Sequence, residues 1–163
     1  MATKILVVDD EPDLELLVTQ KFRHRIRNGD YAFLFARDGE EALSLLEKER
    51  DVDVVLSDIN MPRMDGLTLL ERLQNLSSML RTVIVSAYGD MKNIRTAMNR
   101  GAFDFVTKPI DFDDLQTTIS KTIADLQALR EAYRLQACAS RAGPSLFTRK
   151  AEAASSSALS TAV

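Results

Sequence analysis

The chain has 163 residues, of which 45% are hydrophobic and 28% are charged, and its formal net charge is −3 at pH 7. This length suits one globular domain with its own core, and the small negative charge argues against a nucleic-acid-binding module of the usual basic kind. A single cysteine excludes an internal disulfide, and no signal peptide or apolar run of membrane-spanning length is present, so we expect a cytoplasmic protein without membrane contact.

Short apolar runs alternate with amphipathic segments from residue 4 onward. Residues 4–8 form a short run that is apolar from Ile5 to Val8 and rich in branched side chains, which is typical of a strand buried on both faces. An acidic cluster and Pro12 follow and favour the start of a helix. Apolar residues at helical spacing then predict one continuous helix that ends near Asn28 and Gly29.

The same alternation is repeated four more times. The further predicted strands cover residues 31–36, 52–57, 82–85 and 103–107. The helices that follow them begin at Asp38, about Asp65, Asp90 and Asp111, where the aspartates are typical helix caps. Five strands alternating with five helices predict an α/β fold with a doubly wound, five-stranded parallel sheet.

Reactive polar residues stand where these strands end. They are Asp9, Asp10, Asp58, Ser86 and Lys108. Ligands of doubly wound sheets bind beyond the carboxyl ends of the strands, so we expect these side chains to form one site. Clustered carboxylates without histidine or cysteine favour Mg²⁺, and a lysine and a hydroxyl beside them suit phosphoryl transfer. The central Asp58 is the predicted nucleophile.

These residues resemble the receiver domains of bacterial two-component response regulators over about residues 4–123. The resemblance rests on four short motifs: the acidic pair at residues 9–10, the Asp-x-x-Met-Pro-x-Met-Asp-Gly run that begins at Asp58, the pair Ser86-Ala87 and the pair Lys108-Pro109. It implies a flavodoxin-like sheet with the strand order 2-1-3-4-5. It also implies that Asp58 accepts a phosphoryl group from a histidine kinase or a phosphotransfer protein.

The resemblance further implies a set of metal ligands. Mg²⁺ would be held by Asp10, Asp58 and the backbone carbonyl of Asn60, and Asp9 would assist through a metal-bound water. No cofactor other than Mg²⁺ is implied.

Other residues would contact the phosphoryl group or respond to it. By resemblance, Lys108 and Ser86 contact the phosphoryl oxygens, and the peptide bond after Lys108 is cis. Ser86 and Phe105 form the switch, although a phenyl ring lacks the hydroxyl of the tyrosine that the family often has there. Asn60 and Tyr88 occupy the positions that tune the lifetime of the phosphoryl group, and we expect Tyr88 to shield it.

The last helix is longer than the domain requires. We expect a receiver domain over residues 1–124, a helical extension over residues 125–139 and a disordered tail over residues 140–163. Seven residues step along this helix at the spacing of a coiled-coil seam: Leu115, Ile119, Thr122, Leu126, Leu129, Tyr133 and Gln136. This spacing is compatible with a homodimer through the helix and with a solvated helical linker.

The resemblance favours a regulator, not an enzyme, in which phosphorylation switches a surface that binds a partner protein or a second copy. In a first alternative the chain is the amino-terminal part of a longer regulator with a DNA-binding or catalytic output domain; the long helix supports this, and the end of the chain at Val163 opposes it. A second alternative is a magnesium-dependent phosphatase of the haloacid dehalogenase type. It is disfavoured because Asn60 and Pro62 stand where those enzymes have an acid and a threonine.

Overall fold

The computed structural model describes residues 2–77 and 79–141. Within these residues, one sheet contains five parallel strands: β1 (Thr3–Val8), β2 (Tyr31–Ala36), β3 (Val54–Asp58), β4 (Arg81–Ala87) and β5 (Asp104–Lys108). Their order is β2-β1-β3-β4-β5. The predicted doubly wound sheet and its strand order are therefore confirmed.

The same part of the chain contains six helices: α1 (Pro12–Lys21), α2 (Arg23–Arg27), α3 (Gly39–Lys48), α4 (Gly66–Leu76), α5 (Met91–Asn99) and α6 (Phe112–Arg141). The number differs from the predicted five because the first predicted helix is divided at Phe22, where φ is −97° and ψ is 16°. The buried ring of Phe22 lies 5.5 Å from the ring of Phe33 and 6.0 Å from that of Tyr31. The break therefore coincides with a buried aromatic group that packs against β2.

Alternate side chains of β1 enter cores on opposite faces of the sheet. Ile5 and Val7 belong to a core that also contains residues of α1 and α6, whereas Leu6 and Val8 belong to one that contains residues of α3 and α4. Each large apolar side chain removed from water contributes about 1.5–3 kcal/mol. Because helices cover both faces of the sheet, we expect a ligand to bind beyond the ends of its strands.

The chain divides into two compact units, Met1–Gln127 and Ala128–Val163. In the first unit, the first four residues of the predicted seam are buried: Leu115, Ile119, Thr122 and Leu126. At these positions the apolar spacing reflects packing within the domain and not contact with a partner.

In the second unit, residues 128–141 are helical, and Tyr133 and Leu135 are exposed. The tail predicted from residue 140 lies outside the described residues from 142 onward. Over the described ranges, none of the helices combines the length and the apolar character that crossing a membrane requires.

Candidate functional site

Four strands bring polar residues to one edge of the sheet. Asp9 directly follows β1, Asp58 ends β3, Ser86 lies next to the end of β4, and Lys108 ends β5. The register places Asp58 beside Val85, and Ser86 beside Thr107. Since all strands are parallel, their carboxyl ends meet at the same edge, as the sequence predicts.

The amino group of Lys108 lies between two buried carboxylates. Its Nζ is 3.1 Å from Asp9 Oδ2 and 3.1 Å from Asp58 Oδ2, and it is 3.4 Å from Glu11 Oε1. The side chains of Asp9 and Asp58 are only 3% and 8% exposed. The single positive charge of the lysine therefore reduces the repulsion between the two carboxylates. The peptide bond between Lys108 and Pro109 is cis, in agreement with the family resemblance.

Burial and charge act in opposite directions on the ionisation of this pair. Burial raises the pKa of Asp58 above its usual range, and the hydrogen bond from Lys108 offsets this rise only in part. Burial would lower the pKa of Lys108, but the hydrogen bonds to Asp9 and Asp58 outweigh that effect and raise it. Lys108 therefore remains positively charged, and burial makes the ionised form of Asp58 less favourable than in an exposed aspartate.

The acidic residues of this edge have the arrangement of a metal site. One carboxylate oxygen from each of Asp9, Asp10 and Asp58 lies within 4.8 Å of the others. Asp10 is exposed, whereas Asp9 and Asp58 are buried. Asn60 lies beside them, since its backbone N–H donates to Asp58 Oδ1 at 3.4 Å. An all-oxygen set that is open to solvent on one side fits Mg²⁺, which prefers oxygen ligands and retains several waters.

The hydroxyl of Ser86 has a carboxylate partner on the following loop. Ser86 Oγ donates to Asp90 Oδ2 at 3.3 Å, and Asn93 Nδ2 donates to the same oxygen at 3.0 Å. Asp90 occupies the N-cap position of α5 but makes no side-chain capping hydrogen bond there. The predicted capping role of Asp90 is therefore wrong, because its carboxylate is directed to these two side chains.

Two aromatic residues of the predicted site lie at its surface. Phe105 on β5 is 37% exposed, and Tyr88 in the loop after β4 is 86% exposed. The structure thus does not place either ring among the buried acids.

The motif that begins at Asp58 ends at Gly66, where the structure has no room for a side chain. A Cβ atom at Gly66 would collide with the backbone carbonyl oxygen of Asp58. The backbone N–H of Gly66 donates to the carbonyl oxygen of Ile59 at 2.8 Å. This close approach fixes the first turn of α4 against the end of β3, and it holds the backbone of Asp58 in place.

Sequence reasoning did not find two charged residues that form ion pairs in the segments after β1 and β3. Glu11 is the third carboxylate near Lys108, and its position next to the acidic pair could have indicated this. Arg63 in the loop after β3 forms an ion pair with the buried Asp38 at 2.7 Å. No local pattern links these two positions, which become neighbours only in the folded chain.

Residues 5–120 match the sequence model of the response regulator receiver domain. Sporulation initiation phosphotransferase F of Bacillus subtilis (strain 168) is 33% identical over 121 residues, which are 74% of this chain and 94% of that protein. Transcriptional regulatory protein ZraR of Escherichia coli O157:H7 is 35% identical over 120 residues, which are 74% of this chain but only 26% of that protein.

A solved structure gives the same result. The signal receiver domain of an HD domain-containing protein from Pseudomonas fluorescens Pf-5 has a TM-score of 0.71 and 30% sequence identity, with 80% of this chain and 93% of that chain covered. The family match spans most of the chain and includes every strand end that carries a polar residue of the site. Together with the strand order and the lysine-bridged acids, these comparisons show that the chain belongs to the family of response regulator receiver domains.

Proposed function

We propose that the chain is a signalling regulator that accepts a phosphoryl group on Asp58 from a histidine kinase or a phosphotransfer protein. One observation carries this proposal: Asp58 is a buried carboxylate at the end of β3 that lies 3.1 Å from Lys108 and in one oxygen cluster with Asp9 and Asp10. A nucleophile, a cation and a set of metal ligands are the groups that phosphoryl transfer to a carboxylate requires.

In this proposal Mg²⁺ is held by Asp10, Asp58 and the backbone carbonyl of Asn60, and Asp9 acts through a bound water. When it is bound, Mg²⁺ supplies positive charge for the phosphoryl oxygens. The exposure of Asp10 supports this assignment, because an octahedral ion needs room for its remaining waters.

In the transfer step, a carboxylate oxygen of Asp58 forms a bond to phosphorus while the P–N bond of the donor phosphohistidine breaks. The imidazole nitrogen keeps the electron pair and takes up a proton. Lys108 turns from the carboxylate of Asp58 to donate hydrogen bonds to the transferred phosphoryl oxygens. The protein contributes position and charge, and the acceptor is the carboxylate form of Asp58, which the hydrogen bond from Lys108 favours.

The proposed switch, formed by Ser86 and Phe105, responds to the negative charge of the phosphoryl group on Asp58. The 3.3 Å hydrogen bond from Ser86 to Asp90 is long for a hydroxyl donor. Oxygens of a phosphorylated Asp58 would be strong competing acceptors, so Ser86 leaves Asp90 for them. The space that Ser86 vacates lets Phe105 turn inward, and this movement changes the surface around β5 and α5. A phenyl ring makes this change by packing alone, since it has no hydroxyl to form a hydrogen bond.

The output that we propose is contact with a partner protein or with a second copy of the chain, with the helical extension over residues 125–139 as a linker or a dimer contact. The chain is a phosphoacceptor of the cytoplasm and not a turnover enzyme, and it contacts neither nucleic acid nor membrane directly. The Bacillus subtilis relative, matched over 94% of its own length, represents the single-domain form of this proposal, and ZraR, matched over only 26%, represents the alternative of a longer regulator with an output domain.

Beryllium fluoride, a mimic of the phosphoryl group, tests both parts of this proposal. Fluorine NMR is expected to show beryllium fluoride bound only when Mg²⁺ is present, and light scattering of the same sample then reports the output. A doubled mass indicates self-association, whereas an unchanged mass indicates a heterologous partner, which a pull-down with the loaded protein would identify. Absence of binding in the presence of Mg²⁺ contradicts the phosphoacceptor function.

We also propose that Tyr88 and Asn60 set the lifetime of the phosphoryl group. Each lies two residues after a residue of the site, and the side chain of Tyr88 is free to cover the group once it is present. A Tyr88→Ala substitution is expected to accelerate loss of the phosphoryl group severalfold in a chase of phosphorylated protein. Tyr133→Ala, at an exposed tyrosine of α6, is the matched control. An unchanged rate in Tyr88→Ala rules out the shielding role.

A further inference from the structure

We propose that Arg63 is a positioning residue for the magnesium site and that its ion pair with Asp38 holds the loop between β3 and α4 in the conformation that presents Asn60 to the ion. A guanidinium nitrogen of Arg63 lies 2.7 Å from Asp38 Oδ2. This inference rests on the phosphoacceptor function proposed above, because it concerns the metal that this function requires.

Asp38 is a fixed anchor for the loop. Its side chain is only 2% exposed, and its Oδ1 accepts a hydrogen bond from the backbone N–H of Glu41 at 2.9 Å, which caps α3. A buried carboxylate is costly unless a cation accompanies it. Arg63 supplies that cation although its own side chain is 68% exposed. The ion pair therefore holds the loop between β3 and α4 against the N-terminal end of α3.

The backbone of Arg63 is strained. Its φ is +65°, and the backbone N–H of Met64 donates to the carbonyl oxygen of Pro62 at 2.7 Å. Together these describe a γ-turn with a positive φ at its central residue, a rare conformation that costs about 1–3 kcal/mol when the residue is not glycine. Such a turn persists only where surrounding contacts hold it, and the ion pair with Asp38 is such a contact.

The neighbouring residue fastens the loop to the same helix end. A Cβ atom at Gly39 would lie 2.7 Å from Cγ of Met64, so Met64 packs closely on the first residue of α3. Arg63 and Met64 thus both hold onto the start of α3. Asn60 lies between this attachment and the end of β3, and a shift of the turn would displace its carbonyl.

Charge and position predict opposite effects of Arg63 on metal affinity. If Arg63 acted only through its positive charge, its removal would strengthen Mg²⁺ binding, because like charges repel. If Arg63 positions Asn60, its removal weakens Mg²⁺ binding. The sign of the change therefore separates the two roles.

The test is a titration of the 163-residue chain with Mg²⁺ alone, followed by NMR, with the unfolding temperature measured in parallel. Arg63→Ala is expected to raise the Mg²⁺ dissociation constant about tenfold, which is the usual effect of removing a residue that orients a metal ligand. Arg63→Lys should restore most of the affinity, because the contact involves a single nitrogen. Asp38→Asn keeps an oxygen for the cap of α3 and should weaken binding as much as Arg63→Ala, with no further loss in the double variant.

The matched control is Arg25→Ala, which removes the same charge from an exposed ion pair with Asp30 and should leave the dissociation constant unchanged. An unchanged or lower dissociation constant in Arg63→Ala overturns the positioning role. Equal losses in Arg63→Ala and Arg63→Lys also overturn it, because the pairing would then not be what matters. If the unsubstituted protein binds no Mg²⁺, the phosphoacceptor function itself fails, and this inference fails with it.

Discussion

An Asp58→Asn variant is expected to take up no phosphoryl group and yet to be more stable than the parent protein at neutral pH. The carboxamide is not a nucleophile, so the effect on uptake is complete. The effect on stability follows from burial, which raises the pKa of Asp58 above its ordinary value of 3.8. The folded protein thus favours the protonated carboxyl, and the stability that Asp58 contributes at low pH is lost as the pH rises through its raised pKa.

Asparagine does not ionise, so the variant avoids this loss. The gain in unfolding free energy should be about 1 kcal/mol, the usual size for one stabilising substitution, and it should grow as the pH rises through the raised pKa of Asp58. Mass spectrometry after incubation with a small phosphodonor and Mg²⁺ measures uptake, and urea unfolding at several pH values measures stability. Asp113→Asn, at an exposed residue of α6, is the control and should take up one phosphoryl group. Uptake by Asp58→Asn, or a stability difference that shrinks as the pH rises, would contradict this account.

A Lys108→Ala variant is expected to lose about 3 kcal/mol of unfolding free energy in the absence of Mg²⁺, because breaking a buried ion pair leaves an uncompensated charge. Here the carboxylates of Asp9 and Asp58, each 3.1 Å from Nζ of Lys108, would be left without their shared cation. Mg²⁺ should narrow the difference from the parent protein, because the ion no longer competes with a neighbouring cation and therefore binds more tightly in the variant than in the parent.

The unfolding transition in urea, followed with and without Mg²⁺, measures this effect. Lys4→Ala is the matched control: its amino group lies 2.8 Å from Glu49 and 2.9 Å from Asp51, both well exposed. Hydrogen bonds to these acids raise the pKa of Lys4 to about 12, but water solvates the acids when the lysine is removed. Lys4→Ala should therefore cost little, and Mg²⁺ should stabilise it by the same amount as it stabilises the parent protein. A small loss in Lys108→Ala, or a loss that Mg²⁺ does not reduce, would mean that Lys108 does not neutralise the acids.

Local patterns were sufficient to predict most elements of the fold. The branched and aromatic residues within 4–8 and 103–107 predicted strands, and Asp38 predicted the cap that its hydrogen bond to Glu41 confirms. Strand propensity and helix capping depend on a few consecutive residues, which is why they can be predicted from the sequence. The family motifs then added the strand order.

Predictions failed where a distant residue decides the local structure. The first helix breaks at Phe22, whose ring packs against those of Tyr31 and Phe33, and a helical pattern does not reveal this long-range contact. The spacing of apolar residues in α6 predicted one apolar face but not what covers it. Leu115 and Ile119 are covered by the core of the domain itself.

Short-range patterns place the reactive residues at the ends of the strands, and the family and the chemistry of the site follow from these positions. The pairing of the residues could not be predicted in this way: Lys108 with Asp9 and Asp58, Ser86 with Asp90, and the loop after β3 with the start of α3. Strand ends depend on a few consecutive residues, whereas ion pairs and hydrogen bonds depend on distances of a few ångströms, which are set when the sheet and its helices pack together.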